Sequence, residues 1–509
     1  MGEVVEVCLE AVTSTPMGTI QQKTSSATRS EQQSLQVITV TGSSGGEATR
    51  TSTQGHSEGS GHQYHRQPNP QEGWLPITES RKGNAWTSTF HLLCSGIGIQ
   101  ALLLPVAFSF LGWFWGILCL SVAFVWHLYS TWLLVHLHES VTGTRYSRYL
   151  HLSIAAFGER LGKFLSIFPV MYLSGGTCVM LIITGGGTMD LFYKTMCEHV
   201  PACNPKTLSG AEWFLVFTCF AIAVALLFPN LNSLATVSLV GSITAVCYCT
   251  LIWLLSVGNG RPDGISYDPS KTATSDMDRI RGILTAFGII ALAFRGHNVV
   301  LEIQGTMPSS PKHPSREPMC RGVTVSYAII GLCLFPLATG GYWAYGNMIA
   351  ANGGMLSTFP KFHRSNPKIV MGIIYMLVVI NSLSSFQIYA MPVFDNLEFR
   401  YTSMKKKPCT RWLRSGFRCF FGGLTFFIAV AFPFLGSLAA LIGGLTLPLT
   451  FVYPCFMWIL IKKPRPNTAM WCLNLGLGCL GVVLSILLVA AAMWTIASKG
   501  IDANFFHPH

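Results

Sequence analysis

The chain has 509 residues, 50% of them hydrophobic, a formal net charge of +12, and only 11% Asp, Glu, Lys and Arg. Soluble domains carry roughly 25% charged residues, so this balance excludes an ordinary water-soluble globule. The basic residues lie between long apolar runs, where membrane topology accounts for them and a nucleic-acid partner does not.

Residues 1–80 are rich in Ser, Thr, Gln, Gly and Glu and read as a disordered cytoplasmic N-terminal tail. They hold no apolar core of a secretory signal. A transmembrane transporter domain is expected over residues 81–500. Its spans are expected near 87–108, 113–136, 164–188, 211–229, 234–257, 281–304, 322–345, 369–391, 417–434, 437–460 and 473–497. A short C-terminal tail, 501–509, follows. The fold class is therefore an all-α polytopic membrane protein with about 11 transmembrane helices in the lipid bilayer.

Short loops carry the orientation signal. The loops at 138–163, 305–321, 395–416 and 461–470 are rich in Lys and Arg, and with eleven spans all four share the side of the N-terminus. A cytoplasmic N-terminus and an extracellular C-terminus follow. Most of the sixteen Cys sit in apolar runs and read as small buried hydrophobes. Cys197 and Cys203 share one polar loop on the outer side, where a disulfide between them is expected.

Two spans are interrupted near their middles. The first holds Ser95, Gly96, Ile97, Gly98 and Gln100; the sixth holds Arg295, Gly296, His297 and Asn298. Five spans separate them, and an odd number inverts the second copy. Inverted five-helix repeats with broken helices 1 and 6 are thus expected, repeat 1 over about 87–257 and repeat 2 over about 281–460, with an extra helix at about 473–497. Unwound backbone frees N–H and C=O groups that a zwitterionic solute can satisfy. These nine residues are the candidate substrate site, against the alternative that small residues only let helices pack closely. His297 can tie two helices together, touch substrate or exchange a proton. Glu302, seven positions beyond Arg295, is a candidate gating or coupling carboxylate. His91, His127 and His136 read as packing or interfacial residues. Asp395 and Glu398 end the eighth span, where a carboxylate costs little.

No zinc spacing, Walker A loop or dinucleotide fingerprint occurs, so no enzyme or ATP-driven pump is expected and no cofactor is called for. Secondary transport remains, driven by a proton, a sodium ion or the solute's own gradient.

Several stretches resemble the amino acid/auxin permease family, and within it the plant lysine–histidine-transporter-like proteins. They are FHLLCSGIGIQALLLPVAFSFLGW at 90–113, FRGHNVVLEIQGTMPSSP at 294–311, GYWAYGN at 341–347 and YAMPVFDNLE at 389–398. The resemblance covers roughly residues 74–500. It implies proton-coupled uptake of free amino acids across a plasma membrane, with the site on the two broken spans and protons as coupling ion. Auxin or another small organic acid is the alternative cargo, and a non-transporting amino acid receptor the alternative role. One departure matters. The lysine/histidine type more often has Gly-Ala-Gly in the first break; Ile97 and Gln100 alter that pocket, so a lysine or histidine preference does not carry over.

Overall fold

The computed structural model describes residues 70–141, 143–197, 208–269, 275–350, 353–362, 367–434, 439–499 and 506. The expected N-terminal tail as far as residue 69, most of the expected C-terminal tail, and Cys203 lie outside the described residues.

Among the described residues every regular element is a helix. In chain order they are α1 (Ala85–Gly96), α2 (Leu104–Leu137), α3 (Tyr149–Phe157), α4 (Glu159–Cys197), α5 (Gly210–Leu227), α6 (Ala235–Gly258), α7 (Asp276–Ala293) and α8 (His297–Gly305). There follow α9 (Arg316–Tyr345), α10 (Met355–Phe362), α11 (Lys368–Lys405), α12 (Arg411–Ala431), α13 (Ala439–Leu447), α14 (Tyr453–Lys462) and α15 (Ala469–Lys499). Polar caps set their starts: Asn84 and Thr87 cap each other at α1, as do Ser209 and Glu212 at α5.

Among the described residues, ten helical stretches are long and apolar enough to cross a bilayer. The first, Ile99–Leu137, has 39 residues. That is about 58 Å of helix, near twice the roughly 30 Å hydrocarbon thickness. Gly112 divides it, at φ 73° and ψ −177°, a conformation that favours glycine. Phe108 then packs on Gly116, 2.7 Å from where a Cβ would stand. A straight helix separates such residues by about 12 Å, beyond the reach of a ring. The chain therefore turns back at Gly112, and the crossings number eleven among the described residues. Span 1 runs from α1 through a 3-10 turn, Ile99–Leu103, to Gly112. Span 2 is the rest of α2; spans 3, 4 and 5 are α4, α5 and α6. Span 6 is α7 with α8, and spans 7, 8 and 9 are α9, α11 and α12. Span 10 joins α13 and α14 through a π turn, Pro448–Val452, and span 11 is α15.

The packing follows the repeat. The helix α1 lies on spans 5 and 7; its counterpart α7 lies on spans 10 and 2. Spans 3 and 8 share the most extensive interface, and spans 4 and 9 also meet. A two-fold relation exchanging spans 1–5 with 6–10 requires these pairings, and an odd repeat makes it inverted.

Two short helices, α3 and α10, lie in connections that read as loops in the sequence. At 9 and 8 residues they are too short for hydrophobic periodicity to register. The segment 70–80, expected in the disordered tail, instead joins the folded body: Leu75 and Ile77 are each 1% exposed. Distant elements hold it: Leu231 N–H donates to Pro76 O, Arg414 Nη2 to Trp74 O, and Ile77 packs at Gly305.

Candidate functional site

Both interruptions are real breaks in the backbone. The helix α1 ends at Gly96, Ile97 and Gly98 are extended, and a 3-10 turn follows without a side-chain cap. In span 6, α7 ends at Ala293 and α8 begins at His297 after Gly296 at φ 129°. Only glycine adopts that φ readily. A Cβ on Gly296 would lie 3.8 Å from both Ser95 Oγ and Tyr389 Oη, so the two breaks and span 8 face one another.

Arg295 is the chemical centre of this junction. It is 1% exposed. Its Nη2 donates to Gln100 Oε1 at 2.9 Å, and its guanidinium lies 5.3 Å from the Tyr389 ring centroid. Nε and Nη1 of Arg295 and Nε2 of Gln100 are buried without acceptors. Among the described residues no carboxylate lies within ion-pair distance of Arg295. Gln100 also folds back on the first break, its Oε1 2.7 Å from where a Cβ of Gly98 would stand. The carbonyls that end α1 are occupied by span 8: Ser385 Oγ donates to Cys94 O at 2.8 Å and Tyr389 Oη to Ser95 O at 2.7 Å. Ile97 is fully buried, and Gly96 packs against Ile330 of span 7.

His297 and Asn298 share the second break, but their side chains leave it. Asn298 Nδ2 donates to Ser174 Oγ of span 3 at 2.9 Å. His297 Nε2 meets Ser130 Oγ at 2.7 Å and Thr131 Oγ1 at 3.3 Å, both on span 2. His127 stands 4.4 Å from His297, ring to ring, and its Nδ1 meets Tyr327 Oη of span 7 at 2.5 Å. Tyr327 Oη also meets Thr131 Oγ1 at 2.6 Å. His297 Nδ1 and His127 Nε2 have no partner. Phe294 and Phe451, the latter in the π turn of span 10, pack against His127. Sequence reasoning assigned His127 to packing. The available signal was spacing: His127, Ser130 and Thr131 lie three and four apart, on one helical face.

Glu302 sits neither on Arg295 nor in the break. One turn and more beyond it, Glu302 Oε1 accepts from the Tyr149 N–H at 3.3 Å, the first residue of α3. It lines a cavity of about 30 Å³ with Arg148, Tyr149, Asp395 and Phe399, enough for about one water. Beside it, Arg148 clasps Asp395: Nε–Oδ2 is 2.5 Å and Nη2–Oδ1 3.2 Å, with side chains 7% and 2% exposed. Burial works against the Arg148 charge, but the Asp395 carboxylate more than offsets it and holds the guanidinium above its ordinary range. Ile77 N–H donates to Asp395 at 3.4 Å and Arg148 Nη2 to Thr78 Oγ1 at 3.4 Å, which straps the segment 70–80 to this end. Glu398 completes the cluster, 2.8 Å from Arg414 and 3.5 Å from Arg418. Asp395 and Glu398 are thus buried ion-pair partners, not inexpensive end carboxylates.

A larger cavity of about 240 Å³ is lined by Met189, Phe192, Tyr193, Trp213, Met376 and Val379 and shares no residue with either break. Cys197 ends α4.

Eleven crossings in an inverted repeat, with two interrupted helices meeting at a buried polar junction, define a membrane carrier. Comparison with known proteins agrees. A transporter of the nucleobase-cation-symport-1 family, in a closed conformation with bromovinylhydantoin bound, superposes with a TM-score of 0.55 at 10% identity. It covers 85% of this chain and 96% of its own, and shows the fold alone. The family model described as transmembrane amino acid transporter protein matches residues 81–495. Lysine histidine transporter-like 8 of Arabidopsis thaliana is 54% identical over 442 residues, 86% of this chain and 84% of that one. Lysine histidine transporter-like 7 of the same plant is 49% identical over 443 residues, covering 86% and 90%. The chain belongs to the transmembrane amino acid transporter family, as an amino acid permease of the lysine–histidine-transporter-like kind, and is not an enzyme.

Proposed function

We propose that this transporter carries free amino acids by proton-coupled alternating access, with the solute bound where the two broken spans meet. One observation carries the reading: Arg295 in the sixth span donates to Gln100 in the first, at 2.9 Å, inside the membrane-spanning body. Polar side chains placed there cost free energy unless a solute or a partner uses them. The substrate carboxylate meets N–H groups around Gly96–Gly98, its ammonium meets carbonyls near Gly296, and Asn298 Oδ1, unpartnered, is a further acceptor. The Arg148–Asp395 pair and Glu302 close one end, which we take as cytoplasmic in a plasma membrane from the Lys/Arg bias of its loops. A bridge between Cys197 and Cys203 belongs to the opposite face.

The coupling proton is assigned to His297 together with His127. Their two unpartnered ring nitrogens, on spans 6 and 2, lie among Tyr327, Ser130, Thr131, Phe294 and Phe451, and among the described residues no carboxylate pairs with either ring. One added proton there changes how spans 6 and 2 pack. Uptake of several labelled amino acids into proteoliposomes, with and without an inward proton gradient, tests the whole reading. Flux that the gradient accelerates is expected; specific binding without flux makes the protein a receptor, and flux indifferent to the gradient removes proton coupling.

A further inference from the structure

The deeply placed arginines of this protein differ in one respect. Arg148 has Asp395, and Arg414 and Arg418 have Glu398. Arg295 is 1% exposed and, among the described residues, meets the neutral Gln100 amide and Tyr389 and no carboxylate. The nearby buried carboxylate on its own span, Glu302, is engaged with the Tyr149 N–H and faces the Arg148–Asp395 pair. A guanidinium kept from water without a counter-charge is unfavourable, so the unliganded junction is electrostatically incomplete.

What would complete it is set by the groups left over. Arg295 Nε, Arg295 Nη1 and Gln100 Nε2 are all N–H donors, all buried, and all without an acceptor. Three donors around one fixed positive charge call for an anionic acceptor, and a carboxylate is the one an amino acid can bring. Every amino acid has an α-carboxylate, which the reading above places at the first break. Arg295 and Gln100 then read a second carboxylate.

Resting on that reading, we propose that Arg295 and Gln100 form a side-chain subsite for a carboxylate, which makes acidic amino acids the favoured substrate class and lysine a disfavoured one. The side-chain ammonium of lysine would stand against the Arg295 guanidinium with no carboxylate between them. Glutamine, the neutral isostere of glutamate, offers one carbonyl oxygen and no charge, and would leave the cation unbalanced.

The test is influx of labelled glutamate, glutamine and lysine into proteoliposomes holding the full chain, with malate as a dicarboxylate that lacks the amine. Wild-type protein should half-saturate with glutamate at a concentration about tenfold or more below that for glutamine or lysine, the range that one charged contact supplies. Arg295→Gln should bring glutamate and glutamine together, and Arg295→Lys should keep part of the difference. Equal or better handling of glutamine or lysine by the wild type overturns the proposal while leaving amino acid transport intact. Malate flux without amino acid flux, or no flux of any of the four, overturns the transport reading and the subsite with it. The wild-type ratios decide the matter even where a variant fails to fold.

Discussion

Two buried arginines within the same bundle, Arg148 and Arg295, show what a counter-charge changes. Arg148 is held by Asp395 through two hydrogen bonds and bridges α3, span 8 and the segment 70–80. Arg295 is as deeply buried but, among the described residues, meets only neutral groups. A paired buried charge fastens elements together, and its loss strands the partner. An unpaired one contributes nothing comparable to stability and is held by the fold at its expense. The first reads as a fastening that must open for release, the second as a contact that waits for its ligand.

That contrast can be broken most directly at Arg148. Removing one partner of a buried pair costs about 3–5 kcal/mol. Arg148→Ala should therefore lower the thermal unfolding midpoint of the purified protein by several degrees. Replacing both Arg148 and Asp395 by apolar residues of similar volume should recover most of the loss. A single variant as stable as wild type would mean that the pair does not fasten this end. Arg295→Met should behave in the opposite sense, with stability unchanged or raised by about 1–2 kcal/mol because an uncompensated charge is gone, while uptake falls.

A weaker effect separates the two regions by proton. His127→Gln and His297→Gln should each flatten the dependence of uptake on pH; a wild-type pH profile in both would move the coupling site elsewhere. His151 supplies the control. It packs on Phe399 beside Arg148, and burial, reinforced by the Arg148 charge, lowers its pKa to about 4. With its folded pKa below the unfolded value of 6.5, it stays neutral in the folded protein from pH 7 down to about pH 5 while the unfolded chain takes up the proton, so it costs stability progressively as pH falls from about 6.5 to 4. His151→Gln should leave the uptake profile between pH 5 and 7 unchanged.

The sequence made one region far more legible than the other. Arg295 and Gly296 stand out because polar residues interrupt an apolar run, a local signal, and the Gly-rich first span repeats it five spans earlier. The eleven crossings were readable for the same reason, and even Gly112 separated two apolar runs at the right place. The Arg148–Asp395 pair joins residues 247 positions apart, and nothing near either one announces the other. The same holds for Glu302, which the spacing to Arg295 linked to the break and which α8, restarting at His297, instead carries to Tyr149. His127 hid among aromatic residues until span 6 brought His297 against it. The end of the tail was misjudged because residues 70–80 have little apolar surface of their own; Ile77 is buried against Gly305 and Asp395, more than two hundred residues away in sequence. Break points are written locally, whereas fastenings and relays exist only after folding.

In the proposal above, the Arg295–Gln100 junction is an electrostatically incomplete site which an acidic amino acid completes. Its most direct measurement is the thermal unfolding midpoint of detergent-purified protein, wild type and Arg295→Met, with and without saturating glutamate, glutamine or lysine. Ligand bound to the folded state alone raises that midpoint. Glutamate should stabilise the wild type more than glutamine or lysine does, and Arg295→Met should lose that preference without losing its own stability. Equal stabilisation of both proteins by glutamate, or a wild type stabilised most by lysine, would contradict it.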